Sequence, residues 1–308
     1  MNEQRFRAAE TRLWQSVGVA PAERHVRLDR TGVTVRLLEV GVGPAVVFVH
    51  GATNGATSWA SLAARLPGFR CILLDRPGCG LSDPVVGSNR GMDSLDKLAD
   101  DLIVDVLDAL DLQSAHVAST SFGGYFAFRG AAAHPDRIDR IIEFSWPFGA
   151  PIVRIPPMMR IAGVPILRQL MSRIPPNQRA VKMMLRQIGL GAALQSGSFT
   201  QIDLDWYLSL LRDTNTVRND LRAVPRIVLP IGGLNTRALL TQDVLSKVRH
   251  PVYFLWGGLD PQGGAVTAEQ FAGRFVNAQL EMMPAAGHAP WMDDPDHAAM
   301  TTERFLCA

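Results

Sequence analysis

The segment Ala115-His116-Val117-Ala118-Ser119-Thr120-Ser121-Phe122-Gly123-Gly124 decides the fold. Its apolar start predicts a buried strand, and the residues from Phe122 to His134 predict a helix. Ser121 would then lie on a sharp turn at the helix N-terminus, with its hydroxyl lifted above the sheet. Small residues are needed two positions before and after it, and Ser119 and Gly123 hold these positions.

This segment has two other interpretations. A strand, a turn and a helix can follow one another without catalysis, with the serine acting only as a helix cap. Ser119 is a second candidate nucleophile, but it lacks the following x-Gly spacing and would lie at the end of the strand. Ser121 is therefore the preferred nucleophile.

Strands and helices alternate on both sides of this segment. Continuous apolar runs at 45–49, 71–74 and 252–255 predict strands that are covered on both faces. Two alternating segments around 29–32 predict a hairpin, and 3–17 predicts an amphipathic helix. The strand–helix order indicates the α/β class with a parallel, doubly wound sheet.

The alternation of strands and helices stops between Pro151 and Asn235, where prolines interrupt the predicted helices. This segment carries eleven Lys and Arg against four Asp, a net charge of +7 in a chain whose total is +2. We interpret it as a mostly helical insertion between two strands of one sheet.

Two polar residues follow late strands. Asp260 comes after the run that ends at Trp256-Gly257-Gly258, and His288 follows Gly287 after the last predicted strand. A serine hydroxyl needs a base to take its proton, and that base needs an anionic partner that fixes its tautomer. A single loop histidine is more often structural. The order Ser121, Asp260, His288, each after a strand, favours a catalytic triad.

Small residues also follow the strand that ends at Val49. In His50-Gly51-Ala52-Thr53-Asn54-Gly55 they would let backbone N–H groups face an oxyanion. We expect the N–H groups of Ala52 and Phe122 to be the two donors. A glycine-rich loop without this role is the alternative, and the position at the carboxyl end of a strand favours the oxyanion hole.

Together these motifs resemble the α/β-hydrolase superfamily, over nearly the whole chain from Val26 to Leu306. The segment 75–83, Asp-Arg-Pro-Gly-Cys-Gly-Leu-Ser-Asp, matches a structural turn of that family. The resemblance implies a mostly parallel eight-stranded sheet flanked by helices, with a helical cap, or lid, inserted after the sixth strand. Residues 1–147 and 236–308 would form the core, and residues 148–235 the cap.

The identity of the nucleophile limits the reactions that we expect. Relatives that open epoxides or remove halide carry aspartate where this chain has Ser121. We expect a serine hydrolase that cleaves an ester or lactone of a small, mainly apolar substrate. The alternatives are a cofactor-free hydrolase or lyase for carbon–carbon bonds, a biosynthetic cyclase, and a ligand-binding protein without turnover. Carbon–carbon hydrolases of the family often carry Gly-Gly-Gly-Pro where this chain has 51–54, Gly-Ala-Thr-Asn.

The cap is rich in Met, Leu and Ile, which suits a pocket for apolar shapes. An amphipathic layer with its arginines in solvent is the alternative, and an anionic substrate group or a membrane surface could use the positive charge. The candidate pocket residues are His50, Asn54, Trp146, Met158, Met183 and Trp291.

Composition limits the remaining partners. The weak overall charge gives no reason to expect nucleic acid binding, and no apolar run is long enough for a membrane span. Three scattered cysteines and a polar N-terminal segment favour the cytoplasm. We expect no metal and no organic cofactor, weak membrane-surface contact at most, and a monomer or homodimer.

Overall fold

The computed structural model describes residues 1–85, 91–152, 155, 157–171, 174–229 and 233–308. Its strands are short, and most are apolar, whereas β1 is mostly polar and exposed. In chain order they are β1 (Ala22–Arg27), β2 (Thr34–Val40), β3 (Ala45–Val49), β4 (Arg70–Leu74), β5 (Ala115–Thr120), β6 (Ile138–Phe144), β7 (Val228–Leu229), β8 (Gly233–Leu234), β9 (Val252–Gly257) and β10 (Ala278–Met283).

The main sheet has eight strands in the order β1-β2-β4-β3-β5-β6-β9-β10. Strand β2 runs antiparallel to both of its neighbours, β1 and β4, and the other pairs in this sheet are parallel. The predicted mostly parallel eight-stranded sheet is therefore confirmed, as is the hairpin between β1 and β2.

Strand β3 shows why the central strands are apolar throughout. Val47 and Val49 pack into the hydrophobic cluster on one face of the sheet, and Val46 and Phe48 pack into the cluster on the other. Alternate side chains thus enter two different cores, so neither face of the strand can carry polar residues.

The helices cover both faces of the sheet and fill the segment between β6 and β9. They are α1 (Glu3–Ser16), α2 (Ala60–Ala63), α3 (Met92–Ala109), α4 (Phe122–Ala133), α5 (Pro157–Gly163), α6 (Pro165–Met171), α7 (Gln178–Gln187), α8 (Gly191–Ser196), α9 (Gln201–Asp213), α10 (Thr216–Ile227), α11 (Gln242–Leu245), α12 (Ala265–Ala272), α13 (Pro290–Asp293) and α14 (Pro295–Leu306). None of the helices within the described ranges has the length and apolar character that crossing a membrane requires.

Helices α5 to α10 and the short β7–β8 hairpin occupy the predicted cap. The hairpin was not predicted, because strands of two residues are too short to show any periodicity. The cap boundaries at 148 and 235 stay a prediction.

The N-terminal helix α1 packs against α9 of the cap and is also joined to the core. Glu10 on α1 accepts hydrogen bonds from the buried guanidinium of Arg36, which also contacts Asp75 at 3.2 Å. Buried charges of this kind need all their partners, because an unpaired charge would be costly away from water. The N-terminal segment is thereby tied to the turn that follows β4.

Candidate active site

Ser121 lies between β5 and α4 with a φ of 54° and a ψ of −120°. A positive φ is strained for a residue other than glycine, and such strain is typical of functional turns. The turn closes tightly on its surroundings. A Cβ at Gly123 would lie 2.0 Å from the Val49 carbonyl oxygen, and one at Gly51 would lie 2.8 Å from the Ser121 Cβ. The glycine two residues after Ser121 is therefore required by contact with β3.

Ser119, where the family usually has glycine, has its own partner. It is paired with Glu143 across β5 and β6, and its hydroxyl donates to the Glu143 carboxyl group. Both residues are fully buried, and burial raises the pKa of Glu143 well above its usual range. A Cβ at Gly124 would lie 2.6 Å from this carboxyl group. The Ser119 hydroxyl is therefore buried and bonded to the Glu143 carboxyl group.

Asp260 and His288 lie in the loops after β9 and β10, and the fold brings them together. The His288 Nδ1 atom is 2.8 Å from Asp260 Oδ2. The carboxylate also accepts the N–H groups of Trp146, at 3.0 Å, and Gln262, at 2.9 Å. These donors fix the position of the carboxylate, which accepts the Nδ1–H of the imidazole and thereby selects that tautomer.

The loop after β6 connects the three segments that carry the predicted triad. The Phe148 N–H donates to the Ser121 carbonyl at 2.7 Å, and the Trp146 N–H donates to Asp260. Ser145, with a φ of 62°, donates through its hydroxyl to the Gly287 carbonyl at 3.1 Å. One short loop therefore contacts the turn of Ser121, the acid and the residue before His288.

The Ser121 hydroxyl itself makes no hydrogen bond to any residue that the structure describes. Catalytic hydrogen bonds are often long in the free enzyme and shorten when substrate binds. The backbone N–H groups of Ala52 and Phe122 likewise donate no hydrogen bond to any other described group. Two such donors beside the partly exposed Ser121 are the arrangement that the predicted oxyanion hole needs.

The loop before Ala52 is held by side chains rather than by secondary structure. The Arg76 backbone N–H donates to His50 Nε2 at 3.1 Å, so Nδ1 carries the proton that is donated to the Gly51 carbonyl at 2.7 Å. Burial and the Arg76 guanidinium lower the pKa of His50 well below its usual range. His50 is thus a neutral, fully buried support of the loop.

A cavity of about 840 Å³ lies between the core and the cap. Phe122 and Phe126 from α4 line its core side, whereas Ser121 and His288 are not among the described residues that line it. Its charged lining residues are mostly arginines: Arg76, Arg168, Arg218, Arg222 and Arg226, with Asp220. The cavity therefore joins an aromatic wall at the turn of Ser121 to a positively charged cap.

The predicted pocket residues lie elsewhere. Trp291 is stacked on Trp59 in the core, with ring centres 4.2 Å apart. The Trp146 indole donates to the Pro151 carbonyl, Asn54 accepts the next N–H of its own loop, and Met183 is 51% exposed on α7. The Met158 side chain lies outside the described residues. None of them is among the described residues that line the cavity, so their role in binding stays a prediction.

Sequence reasoning missed four residues around the site: Arg76, Glu143, Ser145 and Asp220. Arg76 lies in the segment 75–83, for which the family resemblance implies only a structural role, and the other three residues belong to no motif. Only the positive φ of Ser145 and the contacts across the fold identify them. In the part of the chain that the structure describes, no group of three or more His, Cys, Asp or Glu could hold a metal ion.

Comparison with known proteins places these features in a wider group. A family model described as "Alpha/beta hydrolase family" matches residues 46–299. A 2-hydroxy-6-oxononadienedioate/2-hydroxy-6-oxononatrienedioate hydrolase of Cupriavidus pinatubonensis is 27% identical, with 82% of this chain and 84% of that protein covered. The enzyme of the same name from Burkholderia vietnamiensis is also 27% identical, over 90% of both chains.

Solved structures share the fold at lower identity. The carboxylesterase CesB of Bacillus subtilis is 18% identical, with a TM-score of 0.76 and coverage of 99% of this chain and 98% of its own. The 2-hydroxy-6-oxo-6-phenylhexa-2,4-dienoate hydrolase of a Rhodococcus species is 18% identical, with a TM-score of 0.77 and coverage of 94% and 100%. At this identity the likeness concerns the fold alone.

Proposed function

Because the chain belongs to the alpha/beta hydrolase family, we propose that it is a serine hydrolase that cleaves a carbon–carbon bond beside a ketone in an unsaturated diketo acid. Ser121 is the nucleophile, His288 the base and Asp260 the acid that orients it. The single observation that carries the triad is the loop after β6, because Ser145, Trp146 and Phe148 hold its three segments together.

The relatives favour carbon–carbon chemistry over the ester hydrolysis that the sequence led us to expect. Both curated relatives described above are named as hydrolases of 2-hydroxy-6-oxo dienedioates or trienedioates, and each is matched over more than four fifths of its length. The likeness to a carboxylesterase rests on 18% identity and therefore supports only the shared fold.

The proposed reaction uses one proton carrier. His288 Nε2 takes the Ser121 proton while Oγ bonds to the ketone carbon, and the N–H groups of Ala52 and Phe122 hold the oxyanion. The carbon–carbon bond of the diketo form then breaks, and its electron pair moves into the second, conjugated keto group, giving an enolate that takes the proton back from His288. A water, deprotonated by His288, attacks the acyl-enzyme; the acid leaves and Ser121 regains its proton. Asp260 stays ionised throughout.

The cavity lining supports an acidic substrate. The Arg218 and Arg222 side chains both line it from α10, and guanidinium groups bind carboxylates through paired hydrogen bonds. The aromatic wall of Phe122 and Phe126 suits a flat, conjugated chain. A diketo acid has both a carboxylate and a flat, conjugated chain. A simple apolar ester has no anionic group that the arginines could bind.

Ester or lactone hydrolysis is the second candidate function, and one observation favours it. The residues 51–54, Gly-Ala-Thr-Asn, depart from the Gly-Gly-Gly-Pro run of many carbon–carbon hydrolases. The loop that would supply one oxyanion donor therefore differs in sequence from the corresponding loop of those carbon–carbon hydrolases.

Steady-state kinetics on both substrate types would test the proposal. We expect kcat/KM for a 2-hydroxy-6-oxodienoate to exceed that for p-nitrophenyl butyrate by at least about 100-fold, which corresponds to about 2.7 kcal/mol in transition-state binding. Ser121→Ala should lose both activities, while Ser114→Ala, at the opposite end of β5, should keep them. Turnover of the ester with none of the diketo acid would select the second candidate.

A further inference from the structure

Arg76 is buried in the turn after β4, with 3% of its side chain exposed, and its guanidinium contacts the oxyanion loop. Its Nε–H donates to the His50 carbonyl at 2.9 Å, and a terminal N–H donates to the Gly51 carbonyl at 3.0 Å. These are the two residues that precede Ala52. The orientation of their peptide groups sets the direction in which the Ala52 N–H points.

The same guanidinium also contacts the other half of the proposed oxyanion hole. The Arg76 Cζ atom lies 4.9 Å from the centre of the Phe122 ring. A guanidinium over an aromatic face is an attractive contact that strengthens when water is excluded. One side chain therefore touches both segments that supply the oxyanion donors.

On its far side Arg76 contacts the cap. Both carboxylate oxygens of Asp220, on α10, lie 3.4 Å from the same terminal nitrogen of Arg76. Burial raises the pKa of Asp220, and the Arg76 charge opposes that rise. Because an unpaired charge is costly in the interior, the two groups hold each other in place.

The neighbouring residues on α10 dock this helix onto the same turn. Thr216 accepts the Gly80 N–H at 2.9 Å, and Asn219 donates to the Pro77 carbonyl at 3.1 Å. Thr216, Asn219 and Asp220 are spaced three and four residues apart and so share one face of the helix. A movement of α10 would therefore be transmitted to the turn that carries Arg76.

A second cap helix reaches the loop directly. The Tyr207 hydroxyl on α9 donates to the Thr53 carbonyl at 3.0 Å. The oxyanion loop is thus held by the cap on both sides of Ala52, through Arg76 before it and through Thr53 after it.

We propose that Arg76 is a positioning residue for the oxyanion hole, and that Asp220 and Tyr207 couple that hole to the position of the cap. The inference rests on the proposed serine-hydrolase function. Oxyanion donors act because they are already oriented when charge develops, and removing one typically costs about 100- to 1,000-fold in kcat. With the cap in place the donors are aligned; with the cap displaced they lose their alignment.

Arg76→Lys tests the positioning role, because lysine keeps the charge but not the planar fork that reaches two carbonyls. We expect kcat per active site, titrated with a fluorophosphonate, to fall about 10- to 100-fold, with KM changed less than about 3-fold. A substrate-like boronic acid forms a tetrahedral adduct with Ser121, so its inhibition constant should rise by the same factor as kcat/KM falls. Binding of the carboxylic acid product should not change.

Asp220→Asn tests the link to the cap, and Tyr207→Phe is its second variant. Each should weaken boronic acid binding about 5- to 20-fold and lower kcat in parallel, since partial misalignment costs less than losing a donor. The matched control is Asp213→Asn, a buried cap aspartate that pairs with Arg212 at 3.0 Å. It should leave boronic acid binding unchanged.

Two results would overturn the inference: an Arg76→Lys enzyme with parental boronic acid affinity, or Asp220→Asn and Tyr207→Phe enzymes that behave like Asp213→Asn. Its failure is distinct from failure of the proposed function. If Ser121→Ala abolishes turnover while Arg76→Lys keeps normal kinetics, only the positioning role is wrong. If Ser121→Ala retains turnover, the proposed function itself is wrong.

Discussion

His288 Nδ1 lies 2.8 Å from Asp260 Oδ2, and that carboxylate oxygen also accepts the Trp146 N–H at 3.0 Å. The acid is therefore fixed from two sides, by the histidine it orients and by the loop after β6. In the proposed mechanism, this arrangement leaves His288 Nε2 as the basic nitrogen, and Asp260 sets the tautomer.

Asp260→Asn should lower kcat by about 10,000-fold, because an amide that presents its N–H₂ to the imidazole stabilises the wrong tautomer. The amide oxygen can still accept the Gln262 N–H, but the N–H₂ group then faces the Trp146 N–H, so the melting temperature should also fall. Kinetics with the diketo acid and with p-nitrophenyl butyrate provide the measurement. A loss of less than about 10-fold would show that another group orients His288.

Arg222→Gln should raise KM for the diketo acid about 10-fold or more and leave KM for a neutral ester unchanged, because one charge-assisted contact to the carboxylate is lost. Arg186→Gln is the control, because this cap arginine is exposed on α7 and is not among the described residues that line the cavity. Equal effects of the two substitutions would argue against a carboxylate site on α10.

Ser119→Ala should destabilise the fold by about 1 to 3 kcal/mol, because the buried Glu143 carboxyl group loses the hydroxyl that donates to it. Urea unfolding gives the value. The same substitution in a Glu143→Leu background should cost much less, since no buried polar group is left behind. Equal costs in both backgrounds would mean that the hydroxyl and the carboxyl are not energetically coupled.

Asp293 gives the stability a dependence on pH. Burial raises the pKa of its carboxyl to about 6, although the Gly287 N–H donates to it at 2.9 Å. A raised pKa means that the folded protein binds this proton more tightly, so the group stabilises the fold most at low pH. That contribution is lost as the pH rises from about 4 to 6, at no more than about 1.4 kcal/mol per pH unit, and partial exposure makes it smaller.

The measurement is urea unfolding of the parent and of Asp293→Asn across this range. The parent should lose stability relative to the variant as the pH rises towards 6, and the difference should be constant above it. A parent that gains stability relative to Asp293→Asn over the same range would contradict the raised pKa.

The sequence predicted the sheet because its strands carry their own pattern. The run at 45–49 is apolar on both faces, and the order of Ser121, Asp260 and His288 follows the strand order, so both could be recognised locally. The arrangement of Arg76 and Asp220 could not, because 144 positions separate them and only the docking of α10 brings them together.

Strand register and packing explain the other differences. The pairing of Ser119 with Glu143 depends on how β5 aligns with β6, which a single sequence does not fix. Trp291 is one of the predicted pocket residues, and its role in binding stays a prediction. In the fold, the short helix α13 turns its indole inward, and the indole N–H donates to the Ser58 carbonyl at 2.9 Å.

Covalent labelling of Ser121 tests the central claim most directly. The protein is incubated with a fluorophosphonate, and intact mass followed by peptide mapping locates the adduct. We predict one adduct per chain, on the peptide that contains Ser121, with no adduct in Ser121→Ala and full labelling of Ser114→Ala. Undiminished labelling of Ser121→Ala, or an adduct on Ser119, would contradict the assignment of Ser121 as the nucleophile.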